Sequence, residues 1–161
     1  MSTDTTTAPH TNLGLPIGHA TEIDTPWVDI LGGQLRLVHA DIAQGTWIVA
    51  NRFEPGMAVT RHRHTGPVYA WTTAGCWMYA EYGVRYEAGS YIYEPAGSIH
   101  TLIVPADNTE LTEVFFVIHG ANLDLDENDN ITGLIDATSI GQAYNALCEM
   151  QGKTPPSFVG A

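Results

Sequence analysis

Between Leu35 and Ile118 the chain is built of short runs rich in Val, Ile, Tyr, Trp and Thr, separated by Gly, Pro and Asn at intervals of roughly 8 to 12 residues. That rhythm is the spacing of a sandwich or barrel. The runs "QLRLVHADI", "GTWIVANRF", "VTRHRH", "VYAWTTAG", "CWMYAEYG", "VRYEAG", "SYIYEP", "IHTLIV" and "TEVFFVIHG" read as strands. Many strands in one small domain must protect their edges, which points to an all-β antiparallel barrel or jelly roll. With 161 residues and 44% apolar content the chain can bury one core. Residues 1–20, Thr-rich and polar, are expected to be a disordered tail, residues 21–135 the barrel, and residues 136–161 a closing helix and tail. In that last part Asp136 or Thr138 is the expected N-cap; Ile140, Tyr144 and Leu147 share a face, and Gly152 is the stop. The acidic "LDLDENDNITGLID" has Asp129 where a calcium loop counted from Asp124 needs its sharp-turn glycine, so it reads as a solvated hairpin.

Charge removes several classes of partner. Eighteen acidic against six basic side chains give a net charge of −12, which repels phosphate backbones and anionic membrane surfaces. The start "MSTDTTTAPHTN" has neither a basic nor an apolar signal region, and no later segment approaches the roughly 20 apolar residues of a membrane span. A cytoplasmic protein is expected. Cys76 and Cys148 form no C-x-x-C pair and are expected to be free and structural. Neither a glycine-rich phosphate loop nor a G-x-S-x-G elbow is found, which sets nucleotide binding and serine hydrolysis aside.

Against that acidic background, "VTRHRHTGPVYAW" places His62 and His64 two residues apart between Arg61 and Arg63. On a strand the two imidazoles point one way and the arginines the other. Paired imidazoles can grip one ion at about 2.0 to 2.2 Å, with a third ligand supplied from elsewhere in the fold. The plainer alternative is a polar strip on an exposed strand. The surroundings favour the metal: Gly56-x5-His62-x-His64 is followed by Gly75, and Gly89-x5-Pro95-x-Gly97-x2-His100 follows in turn. Each glycine suits a turn between strands, and Pro95 suits a strand end that needs no ladder donor.

This double pattern resembles the two sequence motifs of the cupin superfamily and implies a cupin-type antiparallel β-barrel with a short C-terminal helix. Many cupins carry a carboxylate ligand four or five residues after the second histidine, where this chain has Val68 and Tyr69; Val104 stands where the second motif often ends in Asn. The resemblance therefore implies a centre of three neutral histidines, His62, His64 and His100. Such a set leaves a divalent ion its full charge and favours an anionic chelating substrate: an enolate, enediolate or hydroxyketone. The stretches "RHRHTGPVYAWTTAGCWMYAEYG" and "YEPAGSIHTL" further resemble the 2,4'-dihydroxyacetophenone dioxygenase family, and more distantly acetylacetone dioxygenase. That resemblance implies Fe(II), O2, and cleavage of a C–C bond beside a carbonyl in a small apolar or aromatic substrate. It also implies Glu81 near the metal, as ligand, hydrogen-bond partner or base; the alternative is an exposed strand carboxylate. Tyr69, Trp71, Trp77, Tyr79, Tyr93 and Phe115 are the expected pocket aromatics, unless they are ordinary core. His39 and His119 have no motif support and read as structural. The rival functions are a Zn- or Mn-dependent isomerase or lyase (Ni being a further candidate metal) and a cupin that binds a metal or small ligand without catalysis. A homodimer or homotetramer is expected.

Overall fold

The computed structural model describes residues 18–156, so most of the expected N-terminal tail lies outside the described residues. Among the described residues thirteen strands precede one helix: β1 (Val28–Ile30), β2 (Gly33–Asp41), β3 (Thr46–Phe53), β4 (His62–His64), β5 (Val68–Ala74), β6 (Cys76–Tyr79), β7 (Arg85–Glu87), β8 (Tyr91–Glu94), β9 (Ile99–His100), β10 (Leu102–Ile103), β11 (Thr112–His119), β12 (Asn122–Leu125), β13 (Ile131–Ile135) and α1 (Ala137–Met150). A six-stranded sheet in the order β1-β2-β3-β11-β5-β8 faces a four-stranded sheet, β13-β12-β4-β9, and a three-stranded one, β10-β6-β7. Each pairing is antiparallel. The expected jelly-roll barrel is what forms.

Strand periodicity sets the two faces of the large sheet. Along β11, Thr112, Val114, Phe116 and Ile118 are buried, while Glu113, Phe115, Val117 and His119 are partly exposed on the other side. Inward residues of β2, β3 and β5, among them Leu37, Trp47, Val49 and Val68, meet Trp77 and Tyr79 of β6 in one apolar core. Trp77 is fully buried, and its indole N–H donates to Thr72 Oγ1 at 2.8 Å.

Two motif glycines have backbone reasons. Gly75, at φ +68°, turns β5 into β6 where a Cβ would stand 2.7 Å from the Thr112 Cα, so no side chain fits. Gly97, at φ +85°, sits in the loop between β8 and β9 and donates its N–H to the His64 carbonyl at 2.7 Å, while His64 N–H donates to Ser98 O at 3.1 Å. The second motif's loop is thereby tied to β4 and delivers His100 beside it.

The expected C-terminal helix forms, while residues 157–161 of the expected tail lie outside the described residues. Asp136 caps α1, accepting from Thr138 N–H and Ser139 N–H, and the Ser139 side chain closes the capping box; Gly152 lies just past the end at φ +66°. Tyr144 and Cys148 face the core. The acidic segment is a hairpin, with Asp126 accepting from the N–H groups of Asn128 and Asn130 and Asp129 paired with Arg61. Cys76 and Cys148 are free and buried. No helix among the described residues is long and apolar enough to cross a membrane.

Candidate metal centre

His62 and His64 lie on β4, and the register pairs His62 directly with His100 on β9. All three are at most 6% exposed and point into the barrel. The Nε2 atoms of His62 and His64 are 3.2 Å apart and those of His64 and His100 3.1 Å. Nδ1 of His62 is 2.7 Å from the Thr60 carbonyl, to which it donates, leaving the Nε2 lone pair aimed at the other two rings. Burial, opposed in part by that hydrogen bond, lowers the His62 pKa to about 4, so the ring is neutral and ready to ligate at neutral pH. Tyr79 stacks on His100 with ring centroids 4.2 Å apart.

A fourth group closes the cluster. Glu94, the last residue of β8, is 4% exposed and places Oε2 2.7 Å from His64 Nε2 and 3.5 Å from His100 Nε2. Its Oε1 accepts from the Tyr79 hydroxyl, whereas Oε2 has no aligned donor despite the short approach to His64. Burial alone would raise the Glu94 carboxyl, but the adjoining His100 and His64 imidazoles outweigh it and hold it well below the usual carboxylate range. Burial, reinforced by the same carboxylate, pushes the Tyr79 hydroxyl far above its ordinary value, so Tyr79 stays protonated and donates.

The donor set fits a divalent cation. Ligands on one ion at about 2.0 to 2.2 Å stand about 3 to 3.5 Å from one another, and the imidazole nitrogens already have that spacing. Several lone pairs converging in a dry interior repel unless a cation lies among them, and the unpaired Oε2 has the same requirement. Beside the cluster opens a cavity of about 250 Å³. Its walls are mainly apolar: Leu35, Val49, Phe53, Met57, Phe116 and Ile118, with Ile140 of α1 also lining it. Two carboxamides interrupt them, Asn51 and Asn122. Asn122 is the register partner of His64, and its Oδ1 is buried without a partner.

These motifs and this barrel have counterparts among known proteins. The family model of the ChrR cupin-like domain matches residues 19–122. The chain belongs to this family of cupins. A cupin-like protein of unknown function from Ralstonia eutropha is 33% identical, over 84% of this chain and 91% of that one, with a TM-score of 0.73. An RmlC-like cupin from the same organism is 28% identical, over 88% and 92% of the two chains, with a TM-score of 0.81. The acetylacetone dioxygenase of Acinetobacter johnsonii shares the fold at 16% identity, covering 88% of this chain and 98% of its own, with a TM-score of 0.70. No curated protein sequence matches the chain.

Within this cupin the three histidines come together as expected, but the surrounding expectations change. Of the six aromatics expected in the pocket, Tyr79 alone lines the cavity. Trp77 is packed into the core, and Tyr69, Trp71, Tyr93 and Phe115 point outward from the large sheet, because Val68, Ala70 and Thr72 take the inward positions of β5. Glu81 is exposed. Strand β6 ends at Tyr79, so the alternation that would have carried Glu81 inward stops short of it, and its Oε2 accepts from Thr101 N–H at 2.9 Å. The carboxylate at the cluster is Glu94, which corrects the all-neutral donor set expected from the first motif. It had a signal: in "SYIYEP" it shares parity with buried Ile92, and a charge on an apolar face demands a partner. His119 lies on the outer face of the large sheet, with Nδ1 3.1 Å from Thr46 Oγ1.

The buried His62 makes stability depend on pH. Its folded pKa of about 4 lies below the unfolded value of 6.5, so the unfolded chain takes up a proton that the native state refuses. Metal-free protein is expected to lose stability as pH falls from about 6.5 to about 4, by up to about 3 kcal/mol from this residue. The depressed Glu94 adds loss of the same sign at lower pH. Chemical denaturation of chelated protein at pH 7, 5.5 and 4.5 measures the slope, and His62→Leu should flatten it; an equal slope in the variant would contradict the assignment.

Proposed function

We propose that this cupin is a non-haem iron dioxygenase that cleaves the C–C bond next to a carbonyl in a small α-hydroxyketone, of the 2,4'-dihydroxyacetophenone kind, or in a β-diketone. The observation that carries the reading is the convergence of His62, His64 and His100 Nε2, with Glu94 beside them, on the floor of a small apolar cavity. Fe(II) held by the three imidazoles would bring the substrate oxygens and O2 together and relay the substrate's own electrons to O2. The chain's own residues do the rest. Glu94 Oε2, unpaired and adjacent, takes the proton of the substrate hydroxyl or enol, and the Tyr79 hydroxyl on Oε1 holds the carboxylate in place. Asn122 Oδ1 accepts from a second substrate hydroxyl. The aliphatic walls exclude water and suit one ring or a short chain, since a cavity of about 150 Å³ already admits benzene.

The reaction balances without an outside reductant: R–CO–CH2OH and O2 give R–COOH and HCOOH. Two other readings use the same site. A Zn- or Mn-dependent isomerase or lyase would need only the metal's charge, and a binding module is favoured by Glu94 as a fourth donor, because three nitrogens and one oxygen suffice to close a zinc site. Oxygen uptake separates them. Protein reconstituted with Fe(II) should consume one O2 per substrate, while the Zn(II) form, which has no redox chemistry, should consume none. Equal turnover with Zn(II), or turnover without O2, would sink the oxygenase reading in favour of the isomerase or lyase. Binding without turnover by either form would favour the module.

A further inference from the structure

The cavity beside the histidines extends across the four-stranded sheet towards α1. One cross-strand row of that sheet is His64, Asn122, Ile135, over β4, β12 and β13. Register partners share a face, and all three side chains line the cavity. Neighbouring strands lie about 4.8 Å apart, which puts Ile135 about 10 Å from His64 along the row. There the sheet ends, and the chain passes through Asp136 into α1. Because Asp136 is the cap, Ile135 and Ile140 hold the positions before the cap and four after it that a hydrophobic staple brings together. Ile140 lines the cavity too, and both isoleucines pack against the core.

The helix that carries Ile140 is tied to the start of the large sheet. Gln151 bonds the backbone of Asp29 in β1 twice, accepting from its N–H at 2.8 Å and donating to its carbonyl at 2.9 Å. The Tyr144 hydroxyl donates to the Pro26 carbonyl, and Lys153 Nζ to that of Trp27. With α1 held in this way, the size of the two isoleucines fixes the room left at this end of the cavity.

We propose that Ile135 and Ile140 form the end wall of the substrate pocket, and that the ligand of the metal is an uncharged ketone whose apolar tail is limited to the roughly 10 Å between the histidines and that wall. This rests on the reading that a carbonyl compound chelates the ion, though not on oxygenation. The lining restricts the tail in a second way. No Lys or Arg is among the described residues that line the cavity, and the carboxylate among them, Glu94, stands at the histidines. A tail ending in a carboxylate or phosphate would be buried there without a counter-charge. An aliphatic or aromatic tail instead gains from each carbon laid along Val49, Phe116 and Ile118.

The test uses the full chain loaded with Co(II), whose visible bands report a ligand joining the ion, and straight-chain β-diketones lengthened one methylene at a time, without O2. Affinity should rise about fourfold per methylene until the tail reaches the isoleucines, and then fall. Ile140→Ala and, independently, Ile135→Ala should move that break to tails about one or two methylenes longer. Ile140→Val, the milder change should either of these fail to fold, should move it the same way by less. Leu134→Ala, next to Ile135 but 53% exposed, should leave it in place. A diketone of equal length ending in a carboxylate should bind about tenfold more weakly or worse. A break unmoved in the folded isoleucine variants, affinity that levels off without a break, equal binding of the carboxylate, or Co(II) bands that no diketone alters would overturn the proposal. A break that moves as stated, in a protein whose Fe(II) form takes up no O2, would leave the end wall standing and remove the oxygenase reading alone.

Discussion

His100→Ala is expected to take the protein from one divalent metal per chain to nearly none. The residue supplies one of three converging nitrogens, from a different strand than the other two, so its loss leaves a pair of imidazoles on β4 and a carboxylate that cannot surround an ion. Losing a group that merely supports a ligand costs about 10- to 100-fold in metal affinity, and losing the ligand itself should exceed that. The same change removes the ring stacked on Tyr79 and leaves Glu94 with one imidazole fewer beside it. Folding must therefore be checked alongside metal content, by circular dichroism and by melting of the chelated protein. A folded variant that retains stoichiometric metal would show that the ion is held elsewhere.

The second large effect is expected at Glu94. Glu94→Gln preserves shape and the Tyr79 contact while removing the base. If Glu94 moves the substrate proton, turnover should fall by about 10² to 10⁴ while metal content stays near one per chain. If Glu94 is instead the fourth ligand of a closed site, metal affinity should fall first. Measuring metal content and kcat on the same preparation separates the two, and wild-type kinetics would mean that the carboxylate has no part in the chemistry.

Much of the barrel is legible in the chain because its cause is local. The 8-to-12-residue rhythm, the turn glycines and the Asp136 cap each act within a few residues, so the strands and α1 can be read without knowing what they touch. The histidines are legible for a similar reason: i and i+2 on one strand share a face whatever lies opposite. Glu94 depends on a long-range fact, that the end of β8 in one sheet brings a carboxylate to the imidazoles of β4 and β9 in another. Its parity with Ile92 hints at burial but not at the company it keeps. The aromatics misled because size and apolarity suggest the interior, whereas alternation along β5 and β8 gives the inward positions to Val68, Ala70, Thr72 and Ile92. Glu81 misled through parity carried past the end of β6.

Isotope labelling tests most directly whether the histidine cluster performs oxygenation. An α-hydroxyketone turned over by the Fe(II) protein under ¹⁸O2 should yield two carboxylic acids, each carrying one labelled oxygen, apart from exchange with water. Products formed with no label from ¹⁸O2, their new oxygen coming from solvent, would contradict it and assign the site to metal-assisted chemistry without oxygen.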